Sequence, residues 1–225
     1  MGAYLGDTEI GKMFLGSTEI GQAYLGSTKV WESKQLLPYD AEIEYLESSG
    51  TQYIDTGILP DKNTSIEIDL ELNQIVNSRY VLGRYASGQQ FFLYIYRNTI
   101  QWGWSCSYEN AIDWTTDRHL IKLYTDENFA YLNVDGSDVS SKAIQSQTST
   151  LTTTIFCGSV EDSVSVSTGV PQKVYACKMS KNGSVVLDLI PVRVGQVGYM
   201  YDKVSGQLFG NQGTGNFILG NDITT

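Results

Sequence analysis

The chain has 225 residues, 15 Lys plus Arg against 25 Asp plus Glu, a formal net charge of −10, 12% aromatics, 22 Gly and 4 Pro. That length admits one sizeable core, or one domain with a small appendage, and the acidic balance argues against a phosphate backbone as the main partner, because such binding is driven by Lys and Arg displacing condensed counterions. No stretch approaches the ~20 apolar residues of a membrane-crossing helix, and Met1 to Leu15 carries Gly, Asp and Glu where a secretory signal has a basic and then an apolar run, so a soluble protein with no nucleic acid and no membrane insertion is expected.

Residues 1–34 repeat with a period of ten: Ala3-Tyr-Leu-Gly-Asp-Thr-Glu-Ile-Gly-Lys12, Met13-Phe-Leu-Gly-Ser-Thr-Glu-Ile-Gly-Gln22 and Ala23-Tyr-Leu-Gly-Ser-Thr-Lys-Val-Trp-Glu32. Gly-Asp-Thr or Gly-Ser-Thr between short apolar stretches reads as a turn, since Gly supplies positive φ and Asp or Ser bonds the nearby backbone. Short strands with tight turns follow. Ordering some thirty residues costs more entropy than so few apolar side chains return on burial. The segment is therefore expected to gain its order from copies of itself, from another protein or from the following domain, the alternative being a loose three-stranded meander. The side chains expected to carry oligomerisation or attachment are Tyr4, Leu5, Ile10, Phe14, Leu15, Ile20, Tyr24, Leu25, Val30 and Trp31.

These tandem Tyr-Leu-Gly-x-Thr-x-Ile units resemble segments in structural proteins of tailed phages and prophages of gut bacteria, where they precede a variable C-terminal domain. The resemblance implies a phage virion appendage, a head or tail fibre or decoration subunit. It would lie at the particle surface, joined through the repeat to other virion proteins of capsid or tail, as a homo-oligomer with a trimer favoured.

Pro38 breaks the repeat, and residues 35–42 are expected as a linker to one domain over 43–225. Ser65-Ile-Glu-Ile-Asp-Leu-Glu-Leu72 alternates without a break, the period-two mark of a half-buried strand. Further strands are predicted at Arg79 to Tyr85, Phe91 to Tyr96, Thr99 to Ser105, His119 to Thr125, Phe129 to Val134, Thr153 to Gly158, Lys173 to Met179 and Val185 to Val192. Turns fall between them, as at Asp135-Gly136 and Lys181-Asn-Gly183, and no helical period of useful length competes. Many short strands at regular spacing predict an all-β fold, a two-sheet antiparallel sandwich or jelly roll.

Three segments carry a second resemblance: Tyr45-Leu-Glu-Ser-Ser-Gly-Thr-Gln-Tyr-Ile-Asp-Thr-Gly57, Phe129-Ala-Tyr-Leu-Asn-Val-Asp-Gly136, and Leu187-Asp-Leu-Ile-Pro-Val-Arg193 followed by Tyr199-Met-Tyr-Asp-Lys-Val-Ser-Gly-Gln-Leu-Phe-Gly-Asn-Gln-Gly-Thr-Gly-Asn-Phe217. They are similar to the concanavalin A-like, laminin G-type domains of gut bacterial and phage proteins. That resemblance implies two curved antiparallel sheets with first and last strands adjacent, in a family that is mostly binding or structural. Its sugar and calcium ligands vary between members, so it assigns no binding residue here.

Glu67-Ile-Asp-Leu-Glu71 also resembles the E-x-D-x-E strand of laminarinase- and lichenase-type glucanases. By that analogy Glu67 is the nucleophile, Glu71 the acid/base and Asp69 the group between them. Retaining hydrolysis needs two carboxyls ~5 to 5.5 Å apart, one protonated and one ionised, yet the backbones of Glu67 and Glu71 lie ~13 Å apart along a strand. A solvent-facing row of charges is the plainer reading. The expectation is a noncatalytic protein, with the glycoside hydrolase and a secreted bacterial glycan-binding module as alternatives.

Trp102 and Trp104 flank Gly103 and share one strand face, as do Tyr94 and Tyr96 one strand earlier. Such rings either stack on a sugar or fill a core. With Tyr108, Asn110 and Trp114 of the loop-like stretch 107–117, Trp102 and Trp104 are the expected ligand-binding residues, the ligand being a cell-surface glycan. Cys106, Cys157 and Cys177 are odd in number with no C-x-x-C pair, which points to buried free thiols. His119 is the sole histidine, so His-pair metal sites are excluded, and it is expected at a strand edge. Asp135-Gly-Ser-Asp138 reads as a plain turn, although its oxygens would suit calcium. Neither a metal nor a cofactor is expected.

Overall fold

The computed structural model describes residues 4–5, 8–9, 13–32, 37–160, 163–164 and 169–223. The chain divides into two compact units, Met1–Leu37 and Pro38–Thr225.

In the first unit each ten-residue repeat closes on itself as a hairpin. β1 (Tyr4–Leu5) pairs with β2 (Thr8–Glu9), β3 (Met13–Leu15) with β4 (Thr18–Ile20), and β5 (Gln22–Leu25) with β6 (Thr28–Glu32). Gly16 and Gly26 open the two-residue turns at φ +64° and +63°, as a type II′ hairpin turn requires of its first central residue. The expected tight turns are present, whereas the three-stranded meander is not: among the described residues these strands pair only in twos. Two-stranded ribbons bury little, and Phe14, Leu15, Tyr24, Leu25 and Val30 are exposed while Ile20 is half-buried. Ile10 lies outside the described residues, and so do the side chains of Tyr4, Leu5 and Trp31.

The second unit is all β. Its strands are β7 (Ala41–Glu42), β8 (Leu46–Ser48), β9 (Ile54–Asp55), β10 (Thr64–Leu72), β11 (Arg79–Ala86), β12 (Gln89–Tyr96), β13 (Thr99–Trp104), β14 (Glu109–Asp113), β15 (Arg118–Thr125), β16 (Phe129–Val134), β17 (Ser137–Ala143), β18 (Thr154–Ile155), β19 (Ser159–Val160), β20 (Ser163–Val164), β21 (Gln172–Lys181), β22 (Ser184–Val194), β23 (Val197–Asp202), β24 (Leu208–Phe209) and β25 (Ile218–Leu219). One sheet runs β17-β16-β15-β10-β21-β22-β23-β24, with β8 beside β21 and β7 beside β22. The other runs β14-β13-β12-β11-β18-β9, with β19 and β20 at its side. β25 pairs with β8, so the chain closes with its last strand beside one of its first. This is an antiparallel sandwich of jelly-roll type, as expected from the sequence.

Alternation fixes which side of each strand forms the core. In β10, Ile66, Ile68, Leu70 and Leu72 are buried while Glu67, Asp69 and Glu71 face outward. The inward residues of β15 and β16 (Ile121, Leu123, Leu132) meet those of β12 and β13 (Phe91, Leu93, Trp102, Trp104) in one cluster, the arrangement of two sheets packed face to face. Three boundaries differ from the sequence reading. Ala41–Glu42, expected within the linker, pairs with β22. The loop-like 107–117 stretch contains β14, and the predicted strand over 153–158 shortens to Thr154–Ile155, with Phe156 at φ +73°. All three cysteines are free and buried, and burial pushes the Cys157 and Cys177 thiols up to about 12.

Candidate ligand-binding face

The outer face of the smaller sheet is built by cross-strand register. β12 and β13 pair Phe91 with Trp104, Phe92 with Gly103, Leu93 with Trp102 and Tyr94 with Gln101. Side chains alternate across a sheet, so Phe91, Leu93 and both tryptophans go inward together while Phe92, Tyr94, Gly103 and Gln101 go outward. On the other side of β12, Tyr80 of β11 is opposite Tyr94 and Gly83 is opposite Phe92. β14 adds Asn110 opposite Gln101.

Two rows result. Gly83, Phe92 and Gly103 form one, in which a single ring is flanked by residues without side chains. A Cβ at Gly83 would lie 2.0 Å from the Phe91 carbonyl oxygen, and the residue sits at φ +91°; at Gly103 it would press on Phe92 Cε1 at 3.3 Å. Tyr80, Tyr94, Gln101 and Asn110 form the other. The glycines let strand and ring pack closely, and other rings gather beside Phe92: Tyr85 meets Phe92 edge-on at 5.5 Å and Tyr108 at 6.3 Å, while Tyr80 and Tyr94 lie 4.6 Å apart. The rings and amides of this face, Tyr96 included, line a groove of about 450 Å³. Gln101 Nε2 donates to Asn110 Oδ1 at 3.1 Å, so a pair of amides sits at one side of the rings.

Of the five residues expected to bind ligand, the structure brings Tyr108 and Asn110 into this groove, both exposed. The other three are corrected. Trp102 and Trp104 have no exposed surface and belong to the core; Trp104 Nε1 donates to the Thr64 carbonyl across it at 2.6 Å. Trp114 is buried with its ring 4.7 Å from that of His119. The reason is parity: the Trp-Gly-Trp face is continuous with Phe91 and Leu93, and large aromatics are the most effective core fillers. Tyr80, Tyr85, Phe92 and Gln101 were missed, although Gln101 and Gly103 stand on the strand face opposite the tryptophans.

The outer face of the larger sheet is different. Asp69 accepts two hydrogen bonds from Arg118, at 2.7 and 2.6 Å, and that guanidinium lies 3.6 Å from the Tyr175 ring centroid. Glu71 accepts from Lys173 Nζ at 2.7 Å and from the Tyr175 hydroxyl at 2.8 Å. The Lys173 bond, helped by Tyr175 and opposed by partial burial, holds the Glu71 carboxyl below the usual carboxylate range. A general acid needs the reverse, a carboxyl kept protonated near neutral pH, so Glu71 lacks the environment that the hydrolase reading requires. A groove of about 500 Å³ beside this row includes Tyr45, Arg118, Tyr175 and Pro191.

Elsewhere the polar groups serve turns. His119 bonds Thr115 Oγ1 through Nε2 at 2.9 Å and Asp135 through Nδ1 at 2.7 Å. The Thr115 hydroxyl also donates toward Asp117 at 2.9 Å, and Asp135 accepts the Leu120 amide. Thus His119 ties a strand start to the β16–β17 turn. Asp138, next along in β17, accepts from Tyr124 and Asn133, and among the described residues there is no cluster of His, Cys, Asp and Glu that would hold a metal. A polar groove of about 680 Å³ lies among the turns at 62–65, 125–127 and 182–183. It lacks an aromatic row, and the Tyr124 hydroxyl at its side is committed to Asp138.

No protein-family model matches the sequence, and no curated protein matches it. Among solved structures the chain is similar to a candidate carbohydrate-binding protein from Bacteroides ovatus, with a TM-score of 0.56 over 92% of this chain and 67% of that one. At 10% identity the likeness is one of fold.

Proposed function

We propose that this protein is a noncatalytic glycan-binding module whose site is the aromatic groove on the outer face of the smaller sheet. The observation that carries the reading is the row of tyrosines beside the Gln101–Asn110 amide pair. Tyrosine faces stack on the apolar faces of sugar rings, and paired amides serve hydroxyls, the combination of apolar lining and a few placed polar groups that small-ligand sites use. The fold's likeness to a candidate carbohydrate-binding protein supports it, as does the Lys173 bond that lowers the Glu71 carboxyl, the reverse of what the acid of the competing hydrolase reading needs. Calorimetric titration with a glycan library tests it: binding by the wild type that falls at least tenfold in Tyr94→Ala is expected, and no binding contradicts it.

The hairpin repeat supports a second, separate part of the proposal: copies of the chain associate through it, in a virion appendage. Among the described residues the hairpin strands pair only in twos, and Phe14, Leu15, Tyr24, Leu25 and Val30 are exposed; an edge of this kind pairs readily with an identical one. Light scattering on the full-length protein is expected to show an oligomer that Leu15→Ser with Leu25→Ser dissociates. A monomer in both contradicts it. Mass spectrometry of purified phage particles tests the virion context by the presence and copy number of the chain.

A further inference from the structure

We infer that the aromatic groove takes an uncharged polysaccharide lying across the strands and rejects glycans bearing carboxylate, sulfate or phosphate. The inference rests on the glycan reading above and specifies the ligand class of the same site. Its first ground is the lining. The groove is walled by Tyr85, Tyr94, Tyr96 and Tyr108 and closed at one side by two neutral amides, with no Lys, Arg, His, Asp or Glu among the lining residues. At the rim the Arg97 guanidinium is 5.1 Å from the Tyr96 ring centroid. An anionic group brought against the amides would lose water with no cation among the lining residues to meet it, Arg97 standing outside them over the Tyr96 ring, which is costly, and it would meet the electron-rich faces of the rings, which attract cations instead.

The second ground is electrostatic. The protein carries a formal net charge of −10, so anionic chains are repelled before contact. The cations on the opposite sheet are already committed, Arg118 to Asp69 and Lys173 to Glu71. The third ground is the amide pair itself. With Gln101 Nε2 donating to Asn110 Oδ1, Gln101 Oε1 is left to accept and Asn110 Nδ2 to donate. One acceptor beside one donor fits two neighbouring hydroxyls, each of which both donates and accepts. A carboxylate, which only accepts, would leave the Gln101 oxygen facing an oxygen. The direction follows from the row Tyr80, Tyr94, Gln101, Asn110, which crosses four strands and so spans ~14 Å, enough for a chain of sugars.

A glycan array carrying neutral, uronic-acid, sialylated and sulfated oligosaccharides, probed with the full-length protein, Tyr94→Ala and Asn110→Lys, tests this. The expected result is signal confined to neutral oligosaccharides, at least tenfold lower in Tyr94→Ala, with anionic oligosaccharides gaining signal only in Asn110→Lys. Tyr94-dependent signal on anionic oligosaccharides equal to or above that on neutral ones overturns the inference and leaves the glycan reading standing. No signal, or signal indifferent to Tyr94→Ala, overturns the glycan reading and the inference with it.

Discussion

The two sheets of the sandwich share a core but present opposite outer faces. The larger sheet shows carboxylates and cations on neighbouring strands, and two of the three carboxylates of β10 are paired: Asp69 with Arg118, Glu71 with Lys173 and Tyr175. The smaller sheet shows tyrosines and two neutral amides around a groove. A face whose polar groups are mutually paired has little left to offer a ligand. One on which Tyr85, Tyr94 and Tyr96 are half-buried and Tyr108 is exposed, around a buried Phe92, keeps apolar area that a sugar can bury. The difference teaches that the motif most suggestive of chemistry, Glu67-Ile-Asp-Leu-Glu71, sits on the self-satisfied side.

Substitutions can break or sharpen that contrast. The largest effect is expected in the layer that both faces share: Trp104→Ala removes a fully buried indole and its bond to the Thr64 carbonyl, and large-to-small changes of this kind cost ~3 to 5 kcal/mol, read as a lower urea midpoint. On the aromatic face, Tyr94→Ala is expected to weaken glycan binding tenfold or more, which is ~1.4 kcal/mol, with a much smaller change in urea midpoint. On the charged face, Lys173→Met breaks a partly exposed pair and is expected to cost ~1 kcal/mol or less, with glycan affinity by calorimetry unchanged; a tenfold affinity loss there would dissolve the contrast.

The smallest effect is a pH dependence. Glu71 is held below its ordinary range by the Lys173 bond, and a carboxyl lowered on folding stabilises at pH values above its unfolded pKa, the contribution fading as pH falls through the folded value. The stability gap between wild type and Glu71→Gln is therefore expected to be full at pH 6 and to close below about pH 4, near the unfolded carboxylate range, in urea titrations. Glycan affinity should be flat over the same upper range, because the groove lining holds no carboxylate, imidazole or ammonium. An affinity that tracks Glu71 would contradict the assignment of the site.

Much of the fold was legible because strand alternation is a local signal. The burial of β10 follows its sequence residue by residue, and the ten-residue repeat showed the short strands and their glycine turns, though not that each repeat pairs only with itself among the described residues. The edge strands β14 and β17 were not found, since edge strands carry mixed, half-wet sequences: Glu-Asn-Ala-Ile-Asp and Ser-Asp-Val-Ser-Ser-Lys-Ala lack a clean alternation. The site was half legible. Tyr94 and Tyr96 visibly share a face, and Tyr108 and Asn110 were picked out, yet periodicity within one strand cannot say which face is the core. That choice is made by the partner strand, where Trp102 falls opposite Leu93 and Gly103 opposite Phe92. Tyr80 and Tyr85 enter through β11, whose contribution depends on register with β12 and on the irregularity between Tyr80 and Leu82.

The most direct test is to map backbone amide chemical shifts by NMR during titration of the full-length protein with a neutral oligosaccharide that it binds. Perturbations centred on Gly83, Phe92, Tyr94, Gly103 and Asn110 are predicted. Perturbations centred instead on Glu67, Asp69, Glu71 and Arg118, with the aromatic face silent, would contradict the account.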